Sequence, residues 1–347
     1  MYGRYVVKRI AYGVMTFIIL VFIYSALFNT VMDTTLRSQI TEQIRGELTS
    51  MNSTMTPEEL MEYKDKRYQQ LYNRYHLNEP RINRIFWRAV DTIQFNFGKS
   101  TIITSAAGER DVWVIVKEHI PRTLLLFTLA AALDVLIGVL LGLKKAQKPG
   151  KLLDQTTSVG TMVVFGMPTW WLAMVLIMFF VYKIPIFPSG ALHSIPPPEG
   201  LAYYIDMLYH AALPVLTLVF IGIWGRSYLT RIIVLGTLQE DYIMSARARG
   251  LPERKVLFGH TLRTAAPPIV TMGVLSLLFS IQGNLIFEGI FSWPGMGHLY
   301  WIAVQQNDIP VLMGNLSVTT AMYLTGLVFL DIIYGYLDPR IKVGGKA

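Results

Sequence analysis

The 347-residue chain contains no cysteine, which excludes disulfides, thiol chemistry and Cys-ligated metal sites. Charge is also scarce. Asp, Glu, Lys and Arg make up 16% of the residues, against roughly 25% in a soluble domain. There is no Walker A loop, because Gly138 and Gly142 are followed by Leu143 rather than by Lys and Ser or Thr, so this chain offers ATP no phosphate cradle. His119, His193, His210, His260 and His298 are scattered without ligand spacing, and no metal site is expected. No Ser/His/Asp arrangement supports enzymatic chemistry. The formal charge of +8 comes with no nucleic-acid recognition motif, so no nucleic-acid partner is expected.

What the chain has instead is apolar runs, with a mean hydropathy of +0.41. Crossing a bilayer takes about 20 apolar residues, and six stretches qualify: 10–32, 123–143, 158–181, 211–235, 269–287 and 315–336. An all-α polytopic membrane protein in the lipid bilayer follows. Arg4, Lys8 and Arg9 precede the first run, which is too long for a signal-peptide core and is read as a retained span. Lys144, Lys145, Lys148 and Lys151 follow the second. The loop 288–314 holds no Lys or Arg, and a basic tail follows the sixth span. Short loops rich in Lys and Arg stay in the cytoplasm, so both termini are expected there. Residues 1–32 form the tail and first span, 33–117 an extracytoplasmic segment, and 118–347 the core, with a cytoplasmic loop at about 236–268.

Local signals add detail. Thr56-Pro57-Glu58-Glu59 predicts a capped helix start. Residues 82–97 are amphipathic, with Ile85, Phe86, Ala89, Val90 and Ile93 on one face, which suits either a membrane surface or a neighbouring protein. Pro121 and Pro214 predict the first turns of the second and fourth spans. Gly138 and Gly142 form a face for close helix packing. Gly166-Met167-Pro168 should bend or interrupt the third span. Asp134 and Asp331, with Glu288 near a span end, are intramembrane acids that serve either interhelical hydrogen bonding or a transport path. Gln282 and Asn284 join them as candidates for the path or for packing. Trp170, Trp171 and Trp293 read as interfacial or packing aromatics.

The loop 241–268 is the strongest signal. Asp241 to Arg249 predicts a helix with an acid in its first turn, and Gly250 sits at its C′ position. Pro252 and Glu253 start a second helix that carries Arg254, Lys255 and Arg263 and is expected to stop at Pro267-Pro268. Gly250 allows a sharp corner, and the small Ala246 and Ala248 allow close approach of a partner, whose acids Arg247, Arg249 and Arg254 can pair.

The run Ser245-Ala246-Arg247-Ala248-Arg249-Gly250-Leu251-Pro252-Glu253-Arg254-Lys255-Val256 resembles the cytoplasmic EAA-type loop of ABC importer permeases, in the branch that carries peptides, dipeptides and nickel. Pro121-Arg122-Thr123-Leu124 resembles that family's entry to the second span. Phe291-Ser292-Trp293-Pro294-Gly295-Met296-Gly297 resembles its outer loop, and Leu337-Asp338-Pro339-Arg340-Ile341 its C-terminal signature. Together the resemblance covers nearly the whole chain. Met244 and Ser245 depart from it, standing where the motif has Glu and Ala, and Asp241 one turn earlier is a substitute carboxylate. The first outer segment, around 37–55, is also longer than the family pattern.

The resemblance implies a type I ABC importer permease fold with six transmembrane helices in a prokaryotic plasma (inner) membrane. It implies a non-catalytic subunit, with ATP and Mg bound by two partner ATPases that dock on the coupling residues Asp241, Ser245, Ala246, Arg247, Ala248, Arg249, Gly250, Glu253 and Arg254. The other implied partners are a second homologous permease and an extracytoplasmic substrate-binding protein, for which Phe291, Trp293 and Pro294 are docking candidates. The implied cargo is oligopeptides or dipeptides, with oligosaccharide or nickel complexes as alternatives. Two readings of other classes stay open: a proton-coupled secondary carrier using Asp134 and Asp331, and a structural membrane anchor.

Overall fold

The structure is a computed structural model and describes residues 2–51 and 56–337. Asp338, Pro339, Arg340 and Ile341 of the C-terminal signature lie outside the described residues, as do residues 52–55 of the first outer segment. In chain order the helices are α1 (Tyr2–Met51), α2 (Pro57–Arg74), α3 (Arg81–Ile93), α4 (Val112–Gln147), α5 (Leu152–Phe165), α6 (Thr169–Ile177), α7 (Leu201–Leu238), α8 (Asp241–Ala248), α9 (Glu253–Lys255), α10 (Leu262–Phe279), α11 (Leu285–Ile290), α12 (Met296–Gln305) and α13 (Ile309–Leu337). Among the described residues the only β pairing is an isolated bridge between Lys99 and Asp111. Five helices are long and apolar enough to cross a membrane, and six spans result if the bent pair Leu152–Phe165 and Thr169–Lys183 counts as one. The two arms of that pair meet at 102°. The break falls at Pro168, which has no amide to continue the ladder and takes the extended conformation φ −60, ψ 133.

The chain forms two compact units, Met1–His119 with Leu299–Ala347, and Ile120–His298. In the first unit α1 packs against α13 and α3. Gly13 lets α13 approach so closely that a β-carbon there would lie 2.8 Å from Val328. Tyr24 and Thr320 share a hydrogen bond of 3.1 Å, and Arg9 pairs with Asp331 at 3.2 Å. The boundary expected at residue 32 falls inside α1, which is 50 residues long, or about 75 Å against a hydrocarbon core of about 30 Å. The polar stretch stays helical because Leu36, Ile40 and Ile44 continue an apolar stripe that buries against Leu71 and Leu77. Glu47 on α1 is clasped by Arg67 at 3.0 Å and Tyr63 at 3.0 Å from α2. The start of α2 is capped as expected, and Thr56 and Glu59 there form a reciprocal capping box.

The structure packs the amphipathic α3 on protein, burying Ala89 and Thr92 and setting the rings of Phe86 and Phe22 6.0 Å apart. Asp33 of α1 holds α3 through Arg84, at 3.0 Å, and through Arg88. The loop before α4 is pinned to the start of α13 by Asp308. One oxygen of this buried carboxylate accepts from Ser100 Oγ at 2.6 Å and from the amides of Thr101, Ile102 and Ile103 at 3.0, 3.1 and 3.4 Å.

In the second unit α7 packs against α5, α6 and α10. Gly142 sets the α4–α7 approach, since a β-carbon there would lie 2.7 Å from the Ser227 carbonyl oxygen. One cluster buries Leu126, Ala173, Leu213, Phe287, Phe291 and Trp293; another joins Leu143, Val234, Leu257, Ala265 and Ile269.

Three proline expectations are corrected. Pro121 and Pro214 lie inside α4 and α7, not in their first turns, and the helix expected to stop at Pro267-Pro268 runs on to Phe279. The physical reason is the same each time. A proline removes one amide donor and crowds the carbonyl one turn back, a local loss that a long apolar helix packed on its neighbours absorbs. The boundary expected at 117 likewise falls inside α4. The stretch 288–314 is not open loop but holds α11, α12 and the start of α13.

Candidate functional site

The loop between α7 and α10 is built as a braced corner. Glu240 takes the extended cap conformation before α8, and Asp241 lies in the first turn. Arg249 closes the helix, and Gly250 follows at φ +76, the left-handed conformation that residues with a β-carbon resist. The Gly250 amide donates to the Arg247 carbonyl at 2.8 Å. After Pro252 the chain enters α9, continues through a π-helical turn over Val256–Thr261, and joins α10. Across the corner Arg247 reaches Glu253 at 2.8 Å. Both side chains are exposed, so the pair adds about 0–1 kcal/mol and mainly orients the corner.

Two faces result. Ile243, Ala246, Val256 and Leu257 are buried. Asp241, Tyr242, Met244, Ser245, Arg247, Ala248, Arg249, Gly250, Glu253 and Arg254 are exposed. Ala246 is therefore corrected: it is 1% exposed and its small size serves packing within the chain. Ala248 is the small residue on the outer face. Met244, 59% exposed, puts an apolar knob where the resemblance has a carboxylate. Arg247 is engaged by Glu253 and Arg249 donates to the Ser245 carbonyl at 3.3 Å, so only part of the expected basic set faces outward without a partner within the loop.

Behind the loop, α7 carries two arginines. Arg226 pairs with Asp134 of α4 at 3.0 Å and donates to the Met272 carbonyl of α10 at 3.1 Å. Arg231 pairs with Asp154 of α5 at 2.5 Å. Lys145 is fully buried, its cation 6.0 Å from the Tyr228 ring. These partners are what sequence reading missed, although an arginine inside an apolar run already signals that an acid must meet it.

Asp331 is held by Arg9 within the first unit. Gln282 is exposed at the end of α10, and Asn284 caps α11 by accepting from the Phe287 amide at 2.9 Å.

The expected docking residues are also corrected. Trp293 is 0% exposed and Phe291 2%. The Trp293 indole donates to the Arg122 carbonyl at 3.0 Å and the Phe291 ring lies 4.9 Å from that of Phe287. Both rings are core, where a partner cannot touch them; Pro294 beside them is half-buried. The motif around them encloses Glu288. Its carboxylate accepts from Thr123 Oγ1 and from the His298 amide, both at 2.9 Å, while Thr123 Oγ1 accepts from the Met296 amide at 2.7 Å. A β-carbon at Gly295 would sit 2.5 Å from the Glu288 carboxylate, so glycine is what lets the turn close there. Burial raises the Glu288 carboxyl to about 7.

Long apolar helices with a broken span, interior prolines and polar ties between neighbours define a polytopic α-helical membrane protein. Residues 135–343, more than half of the chain, match the family described as "Binding-protein-dependent transport system inner membrane component". The chain belongs to that family and is an ABC importer permease of the inner membrane. It is 33% identical over 265 residues to the di/tripeptide transport system permease protein DppB of Pseudomonas aeruginosa, covering 72% of this chain and 77% of that one. It is 29% identical over 274 residues to the oligopeptide transport system permease protein AppB of Bacillus subtilis, covering 79% and 84%. It is 27% identical over 292 residues to the metal-staphylopine import system permease protein CntB of Staphylococcus aureus, covering 84% and 85%.

Proposed function

We propose that this chain is the translocating subunit of an ATP-driven peptide importer, moved by separate ATPases that dock on the outward face of α8. The observation that carries the reading is the corner itself. Its outer face of Tyr242, Met244, Ser245, Ala248 and Arg249 is exposed, while its inner face is buried and its two ends continue into α7 and α10. A push on it is delivered to two long helices rather than dissipated in a floppy loop. Asp241 and Arg254 flank this face and Met244 supplies apolar contact area, so the cleft that receives it combines charge with a greasy pocket. ATP and Mg sit on the ATPases. A second permease completes the pore, and a binding protein delivers cargo from the side opposite the loop. The Lys and Arg of the short loops support cytoplasmic termini and a cytoplasmic corner.

Peptide cargo is supported by the names of the DppB and AppB relatives. The CntB relative supports a metal-chelate cargo as the second reading. A proton-coupled carrier is disfavoured because Asp134 and Asp331 are each tied to an arginine in a contact between helices, which is a packing role. The test is affinity capture of the tagged chain from native membranes, followed by ATPase and uptake assays in liposomes. Two ATPases should co-purify, and Gly250→Pro should leave hydrolysis running while uptake fails. Normal uptake by that variant contradicts the docking assignment.

A further inference from the structure

Polar contacts tie α4 to the rest of its unit along its length, beside the Arg122 carbonyl that accepts from the Trp293 indole. Near the middle, Asp134 is gripped by Arg226 of α7, which at the same time donates to the Met272 carbonyl of α10. Further toward the start of α4, Thr128 Oγ1 lies 3.0 Å from Ser280 Oγ. Beyond it, Thr123 Oγ1 donates to Glu288 and accepts from the Met296 amide. Thr123 and Asp134 are three helical turns apart, about 16 Å along the axis. The helices held by Arg226 are those between which the α8 corner is strung. Shifting α7 relative to α4 opens a buried ion pair, and shifting α10 breaks the Arg226 bond to the Met272 carbonyl. At the other end α10 runs out into a short turn and Gly283, whose φ is +67. That is a joint rather than a rod, so α10 alone transmits poorly to the Glu288 turn. The α4 hydroxyl reaches the same turn directly.

We propose that Arg226, Asp134 and Thr123 are positioning residues that make α4 the rod linking the α8 corner to the turn around Glu288. This rests on the reading of the corner as the ATPase docking element. Displacement of α7 and α10 pulls Asp134, and α4 then moves the Glu288 turn through Thr123.

The absence of cysteine makes a clean test possible, since each engineered thiol is the only one in this chain. The whole complex in nanodiscs carries one reporter at a time, Met244→Cys on the corner or Gln282→Cys beside the turn. Labelling with a soluble maleimide is compared with and without ATP plus vanadate. In the parent both rates should change with nucleotide. Thr123→Val, made in a Thr128→Val background so that the Ser280 contact does not bridge to position 282, should abolish the change at 282 and preserve it at 244, and Thr123→Ser in that background should restore it. The neutral pair Asp134→Asn with Arg226→Gln should act like Thr123→Val, which covers the case that one variant fails to assemble. A purely structural role predicts lower thermal stability with the nucleotide response at 282 intact. That result, or a parent in which 244 responds and 282 does not, overturns the rod. A parent in which 244 itself ignores nucleotide overturns the docking reading and the rod with it.

Discussion

Arg226 and Asp134 form a 3.0 Å ion pair between α7 and α4, with side chains only 13% and 10% exposed. Breaking a buried pair by removing one partner leaves a charge without compensation and costs about 3–5 kcal/mol, whereas replacing both by apolar residues is often neutral. Asp134→Ala should therefore lower the thermal unfolding midpoint in detergent sharply. Asp134→Leu with Arg226→Met should recover most of it. If the single variant is as stable as the parent, the pair is not closed in the folded protein.

Asp308 organises the first unit in a comparable way without a cation. Four donors converge on one carboxylate oxygen, and its other oxygen accepts from the Val311 amide at 3.4 Å. Asp308→Ala strands those donors and should cost on the order of 2–3 kcal/mol. Limited proteolysis should then cut residues 98–111 faster than in the parent.

The sequence made the spans, the broken third span and the α8 corner legible because each rests on local signals. These are apolar length, Gly166-Met167-Pro168 and the Asp241 to Gly250 punctuation. It misled where tertiary packing overrides local chemistry. Prolines 121, 214, 267 and 268 all read as helix ends, yet each lies inside a helix whose apolar packing outweighs lost donors. Residues 33–51 read as the start of a separate extracytoplasmic segment, yet a stripe with a four-residue spacing carries α1 onward. Trp293 reads as either an interfacial or a packing aromatic, because nothing in one sequence says that Arg122 offers it a buried carbonyl. The ion-pair partners were invisible for the same reason: pairing Arg226 with Asp134 requires knowing which turns of two helices meet.

The two alanines of α8 separate packing from docking. Ala246 is buried, and Ala246→Leu overpacks the corner at a cost of about 1–3 kcal/mol. Ala248 is exposed, and Ala248→Leu should change stability by less than about 0.5 kcal/mol. Ala248→Leu should nonetheless reduce the ATPase recovered with the tagged chain. Equal recovery with Ala248→Leu and the parent means the partner sits elsewhere.

Glu288 gives the fold a pH dependence. Its carboxyl titrates near 7 in the folded chain, against an ordinary value of 4.5, because burial disfavours the charged form. Between those values the folded state holds a proton that the unfolded state has released, so stability falls as pH rises. The contribution is fully present below about 4.5 and lost as pH passes 7. Unfolding midpoints measured from pH 4.5 to 8 should decline more steeply in the parent than in Glu288→Gln, whose amide does not titrate. Parallel curves would show that Glu288 titrates normally.

The central claim is that ATP hydrolysed by separate subunits drives import through the α8 corner. Its most direct measurement is uptake of a labelled peptide library into liposomes holding the co-purified complex with its binding protein, with ATP on the side of the corner. Uptake should require ATP, stop with Gly250→Pro and be absent for this chain alone under a pH gradient. Uptake by the isolated chain driven by protons, without ATP, would contradict it.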